Sequence, residues 1–185
     1  MADVSPDTVI AFWRDAGYQK WFAADPAFDA QITQRFGAAH EQAARGALAA
    51  WEDSADGALA LLLLTDQFPR NIFRGSAHAF ATDAMARGIA DRALARGFDK
   101  AVTPDMRAFF YLPFEHHEDA ASQARSLALF EGLVGDGGGE EGLRYAQIHA
   151  DIIARFGRFP HRNTVMGRVS TPEETAYLAS GGFSG

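Results

Sequence analysis

The sequence predicts an all-α protein, and three observations carry that prediction. Four times a short polar residue stands directly before a proline, at Ser5-Pro6, Asp25-Pro26, Thr103-Pro104 and Thr171-Pro172. The polar side chain supplies an acceptor for the free N–H groups of a first helical turn, and proline arrives with φ already near its helical value. Apolar residues then recur at intervals of three and four, the spacing that gathers them on one side of a helix. Alternating apolar and polar runs bounded by Asn-Gly or Asp-Gly turns are missing, and alanine and leucine far outnumber valine and isoleucine, so strands have little support.

Taken in order, the helix opening at Ser5-Pro6 buries Val9, Phe12 and Trp13, and the one opening at Asp25-Pro26 buries Phe28, Ile32 and Phe36. The run Leu59 to Leu64 is apolar all round, which suits a helix buried on every side, and is far shorter than the roughly 20 residues of a membrane span. Met85 and Ile89 belong to a helix over about residues 82–96 with Gly97 as its stop. Thr103-Pro104 opens a further helix that Pro113 interrupts. Leu127 and Phe130 mark the next one, and Gly135-Asp136-Gly137-Gly138-Gly139 forms a flexible loop before Ile148, Ile152 and Phe156. Thr171 and Glu174 have the Thr-x-x-Glu spacing of a capping box. The glycine loop is too short to separate domains, so residues 1–185 are expected to form a single all-helical domain with 181–185 as a frayed tail.

A chain of 185 residues can bury roughly two-thirds of the surface it exposes when unfolded. With 15 phenylalanines and no cysteine, packing must hold the fold. The missing cysteines exclude disulfides, thiolate-bound zinc and thiol nucleophiles, and suit a reducing compartment. The start Met-Ala-Asp-Val-Ser-Pro lacks the basic and apolar stretches of an export signal, so a cytoplasmic location with no membrane partner is expected. A net charge of −7 opposes binding to nucleic acid. There is no Gly-x-Gly-x-x-Gly, no phosphate-binding loop ending in Lys-Ser/Thr and no Gly-x-Ser-x-Gly, which argues against common nucleotide and serine-hydrolase folds; no cofactor is implied.

Three segments concentrate polar chemistry. Asp66-Gln67-Phe68-Pro69-Arg70-Asn71 follows the apolar helix, with Asp66 and Arg70 four residues apart and Phe-Pro read as a helix end. Glu115-His116-His117-Glu118-Asp119 follows Pro113 and is read as entering the helix that carries Gln123 and Arg125; histidine with carboxylate suits proton transfer. His-Glu-x-x-His is absent and His117-Glu118 only approaches a metal-binding His-Asp pair, so no tightly held metal is expected. From Arg155 to Arg168 stand Arg155, Arg158, Arg162 and Arg168 with His161 and no acid, and Pro160 is read as ending the preceding helix. Guanidinium groups match carboxylate and phosphate geometry, so an anion is a natural guest of Arg158, His161, Arg162 and Asn163. His149 lies on a face with Ile152, Ile153 and Phe156, reads as a hydrogen-bonded core histidine, and also stands as a candidate to complete the site. The first and third segments echo one another: Phe-Pro, then Arg-Asn, then a further arginine.

On these residues the chain resembles the bacterial family catalogued as domain of unknown function 924. The likeness runs through Phe12-Trp13, Trp21-Phe22, Phe28-Asp29, Arg35-Phe36, Gly46, Trp51, Asp66 to Asn71, Leu112 to Asp119, and Arg155-Phe156-Gly157-Arg158-Phe159-Pro160-His161-Arg162-Asn163. It implies a helical, tetratricopeptide-like superhelical fold and no established activity. Where the family pattern is His-Ser-Glu this chain has His116-His117-Glu118, which leaves His116 and Glu118 as the candidates for catalysis. The leading expectation is a small-anion site in which Arg70, Arg158 and Arg162 converge to hold phosphate or carboxylate, aided by Asp66, Asn71, His149, Arg155, His161 and Asn163. Two alternatives stand beside it: a scaffold whose groove clamps an acidic peptide, and arginine motifs that only lock the fold. The sequence leaves open whether a reaction is catalysed and what the oligomeric state is.

Overall fold

The computed structural model describes residues 4–184 and shows an all-α architecture, with no strand among the described residues. Helices α1 (Pro6–Ala16), α2 (Tyr18–Trp21), α3 (Pro26–Ala44), α4 (Ala55–Leu62), α5 (Phe68–Ile72), α6 (Asp83–Ala95), α7 (Pro104–Glu115), α8 (Ala120–Gly135), α9 (Glu140–Phe156) and α10 (Pro172–Ala179) follow one another, with short 3₁₀ turns in some of the connections. Caps form as expected at Ser5, Asp25 and Thr171. Ser5 accepts from Thr8 N–H, Asp25 from Ala27 and Phe28, and Thr171 with Glu174 completes the capping box. The described residues pack as two compact units, one of residues 4–74 and 78–113, the other of residues 75–77 and 114–184.

In the first unit, Val9 and Trp13 of α1, Phe28, Ile32 and Phe36 of α3, and the run Leu59 to Leu64 are almost fully buried. Aromatic rings dominate: Trp13 stacks on Trp21 at 6.0 Å and on Phe28 at 6.0 Å, and its edge meets Phe109 at 5.8 Å. Gly57 is required where α4 crosses the turn before it, because a Cβ there would lie 2.0 Å from the Trp51 carbonyl oxygen.

Two helix boundaries differ from expectation. Phe68-Pro69 does not end the apolar helix; a π-helical stretch over Leu63–Gln67 carries α4 directly into α5. Proline has no N–H, so helical carbonyls upstream lose their donor. Side chains replace it: His40 Nδ1 donates to Leu64 O at 2.8 Å and Thr82 Oγ1 to Thr65 O. Pro113 likewise sits inside α7 rather than breaking it.

In the second unit α8 and α9 pack across the loop 136–139, so closely that a Cβ on Gly142 would meet Phe130 Cε1 at 2.5 Å. A core of Ile152, Ile153 and Phe159 is flanked by Ile148, Phe156, Tyr177 and Phe183. Helix α9 ends at Gly157, which takes φ 69° and donates to Ile153 O, three residues before Pro160, the expected stop. The tail expected to fray is held through Phe183, whose N–H donates to the Tyr177 hydroxyl at 2.9 Å. Gly185 and the first three residues, on which the leader reading partly rests, lie outside the described residues.

Candidate functional site

The first polar segment lies in one unit, and the second and third lie together in the other. In the first, the Asp66 side chain is 1% exposed and accepts from Gln67 Nε2, while Arg70 approaches it at 3.4 Å. Arg70 also makes a two-pronged pair with Asp83, both contacts at 3.1 Å. Asn71 donates to Asp29 at 2.8 Å, and Arg74 grips the same carboxylate at 2.7 and 3.0 Å. Burial pushes the Asp29 carboxyl up, but the bonds from Arg74 and Asn71 together outweigh it and leave the acid below its ordinary range. Asp29 and Asp83, neither of them part of the sequence motif, are thus the partners of the first segment.

In the second unit Glu115 ends α7, and His116, His117 and Glu118 occupy the turn before α8 rather than a helical stripe; Asp119 is the N-cap, accepting from Ser122 N–H at 2.8 Å. The turn is pinned by Gln123 Nε2, which donates to the carbonyls of Glu115 and His117, each at 2.7 Å. His117 contacts the Asp119 carboxylate. Glu118 reaches the third segment: it accepts from Arg168 at 2.6 and 2.9 Å and from the Phe159 N–H at 2.8 Å. Burial raises its pKa, and these donors override that to hold it below the usual carboxylate value.

The arginine island finds its acids further along the chain. Arg158 pairs with Glu174 at 2.6 and 2.8 Å and also donates to Val169 O. Asn163, 1% exposed, donates to the same carboxylate at 3.2 Å and to Ser170 Oγ at 3.1 Å. Arg158 above all, followed by the Thr171 N–H, brings the Glu174 pKa down to about 2. Arg155 is exposed, pairs with Glu173 at 2.9 Å and lies over the Phe156 ring. Glu173 and Glu174 were legible only as a helix start, because nothing local marks them as counter-ions.

Arg162 also lies near Glu118, whose carboxyl its charge helps to hold down. Buried at 5% exposure, it donates to the His116 carbonyl at 3.0 Å and lies 4.5 Å over the Phe159 ring. Around it stand three imidazoles: the His149 ring is 6.4 Å from that of His116, and His149 and His161 both meet the ring of Phe183, at 4.7 and 5.5 Å. His149 Nδ1 donates to Tyr145 O at 2.9 Å and lies 3.2 Å from Glu115. Burial lowers its pKa to about 3, with the charge of Arg162 adding to the effect. His161 is lowered to about 4 by burial and then by Arg162, and its Nδ1 is buried without a hydrogen bond. Both rings are therefore neutral at physiological pH. Among the described residues no three histidine, aspartate or glutamate side chains are gathered as a metal ion requires, and no helix is long and apolar enough to cross a membrane.

Fold and site define an all-α protein whose polar motifs form ion pairs, most of them partly buried, and in the second unit an imidazole cluster beside an arginine. The chain belongs to the family described as bacterial protein of unknown function (DUF924), whose profile matches residues 9–182. It is 51% identical to a solved protein of unknown function from Agrobacterium tumefaciens, with a TM-score of 0.89, the match covering 95% of this chain and 97% of that one. Among curated proteins nothing matches.

Proposed function

We propose that the protein binds a small oxyanion, a phosphate or carboxylate, in the second unit beside Arg162, with His161 taking up a proton as the anion binds. Supporting this is the positive field of Arg162, which reaches both His149 and His161 and, with burial, keeps them neutral even though the charge of Glu118 pulls His161 the other way. An anion seated there offsets that field, so its binding favours the protonated ring. In this division of labour Arg70, Arg158 and Arg168 serve the fold through Asp66 and Asp83, Glu174 and Glu118. Glu118, held by Arg168 and the Phe159 N–H, is a scaffold for the site, and the proton acceptor is an imidazole. His116 contributes its carbonyl to Arg162 and its ring to the wall beside His149.

The test is a proton-NMR titration of the histidine rings with and without sodium sulfate or acetate at constant ionic strength. The His161 pKa is expected to rise from about 4 as sulfate saturates, and Arg162→Met should abolish the response while Arg162→Lys keeps part of it. Arg158→Gln should lower the melting temperature and leave the sulfate response intact. An unchanged His161 pKa in both salts, or a response lost in Arg158→Gln and kept in Arg162→Met, would overturn the assignment.

A further inference from the structure

In the second unit, residues 181–184 fold back from the end of α10 over the imidazole cluster. The ring of Phe183 meets His149 at 4.7 Å and His161 at 5.5 Å, and the same two imidazoles meet Phe159 at 5.3 and 5.7 Å. Phe159 is fully buried and Phe183 is partly exposed, so Phe159 is the floor of this four-ring group and Phe183 its cover. One residue of α10 anchors the turn that carries the cover: the Gly182 N–H donates to Tyr177 O at 3.0 Å and the Phe183 N–H to the Tyr177 hydroxyl at 2.9 Å. Gly181 takes a left-handed φ of 83°, and a Cβ on Gly182 would come within 2.6 Å of the Tyr177 ring and carbonyl oxygen, so the turn closes only with glycine at both positions. Beneath the cover the His161 Nδ1 is buried without a hydrogen bond. A stranded nitrogen is a cost of the closed arrangement, removed once the ring lifts and water or an anion reaches it. Two backbone bonds and ring contacts hold the cover down, and this nitrogen opposes them, which is the balance of a segment that opens locally while its helices stay folded.

We propose that Phe183 is a gate over the Arg162 site: residues 181–184 swing about Gly181 and Gly182, uncover His149 and His161, and are kept open by the oxyanion that binds there. The gate rests on the oxyanion reading above and adds to it the control of access. Because only the open form binds, the apparent affinity is the intrinsic one reduced by the fraction open, and loosening the cover strengthens binding.

The gate is tested by measuring hydrogen–deuterium exchange of the Phe183 amide with and without sodium sulfate at constant ionic strength, alongside the His161 ring signals. Sulfate is expected to accelerate exchange at Phe183 while the amide of Ile153, inside α9, keeps its rate. Gly182→Ala displaces the turn and keeps the ring, and Phe183→Ala removes the ring; each should bind sulfate at least about threefold more tightly than wild type. An unchanged circular-dichroism spectrum shows that the fold persists in both variants. A His161 response to sulfate with Phe183 exchange unchanged or slowed, or equal sulfate affinity in all three proteins, makes Phe183 a fixed wall and overturns the gate while the oxyanion site stands. No His161 response in any of the three removes the site and its gate together.

Discussion

Glu174 accepts from Arg158, Asn163 and the Thr171 N–H at once, so one carboxylate joins α10 to the arginine island and to the loop after Pro160. Its pKa is lowered from 4.5 to about 2. A carboxyl that is a stronger acid when folded than when unfolded stabilises the protein fully above its unfolded value, and that contribution fades as pH falls through the folded one. Wild-type stability is therefore expected to drop between pH 4.5 and about 2 more steeply than that of Glu174→Gln. Glu174→Gln itself should be the less stable protein at neutral pH. His149 and His161 add an acid sensitivity of their own: neutral when folded, with pKa values lowered from 6.5 to about 3 and about 4, they favour the unfolded chain as pH falls below 6.5. That part is common to both proteins, so the difference between their urea midpoints across pH isolates Glu174. Parallel curves below pH 4.5 would remove the carboxylate from this role. The arginines were legible as a cluster in the sequence because they are adjacent; their partners were not, since 16 residues separate Arg158 from Glu174 and 50 separate Glu118 from Arg168.

At the scale of the element, the passage from α4 to α5 shows how a proline survives within a continuous helical run. The widened turn over Leu63–Gln67 and two side-chain donors, His40 and Thr82, satisfy the carbonyls that Pro69 leaves without an N–H. Thr82→Val keeps the shape and removes the donor, stranding the buried Thr65 carbonyl, and should destabilise the protein by about 1–3 kcal/mol. The same change made in a Pro69→Ala background should cost less, because alanine restores a backbone donor to this turn. A double-mutant cycle by urea unfolding measures the difference, and equal losses in the two backgrounds would separate Thr82 from the proline. The Phe-Pro pair reads locally as a stop because a proline that ends a helix and one that a neighbour rescues look alike in sequence. Gly157 shows the converse, since its left-handed φ of 69° closes α9 before Pro160 is reached.

Across the whole molecule, the helix α7 carries residues 104–113 in the first unit and Phe114 with Glu115 in the second. One cooperative calorimetric transition is expected, as for a single domain; two resolved transitions would make the units independent domains. The helical class, the polar caps before proline, the all-round burial of Leu59 to Leu64 and the family were determined by the sequence alone. Each of these is local, resting on backbone chemistry within one turn or on a periodicity within one helix. Tertiary structure alone decided which acid meets which arginine, that Asp29 and Asp83 complete the first segment, that His149 and His161 lose their charge beside Arg162, and that Lys20 and Arg35 lie over the stacked rings of Phe28 and Phe12. Those outcomes depend on burial and on distances of a few ångströms between residues far apart in the chain, and pairing and desolvation act through space rather than along the sequence.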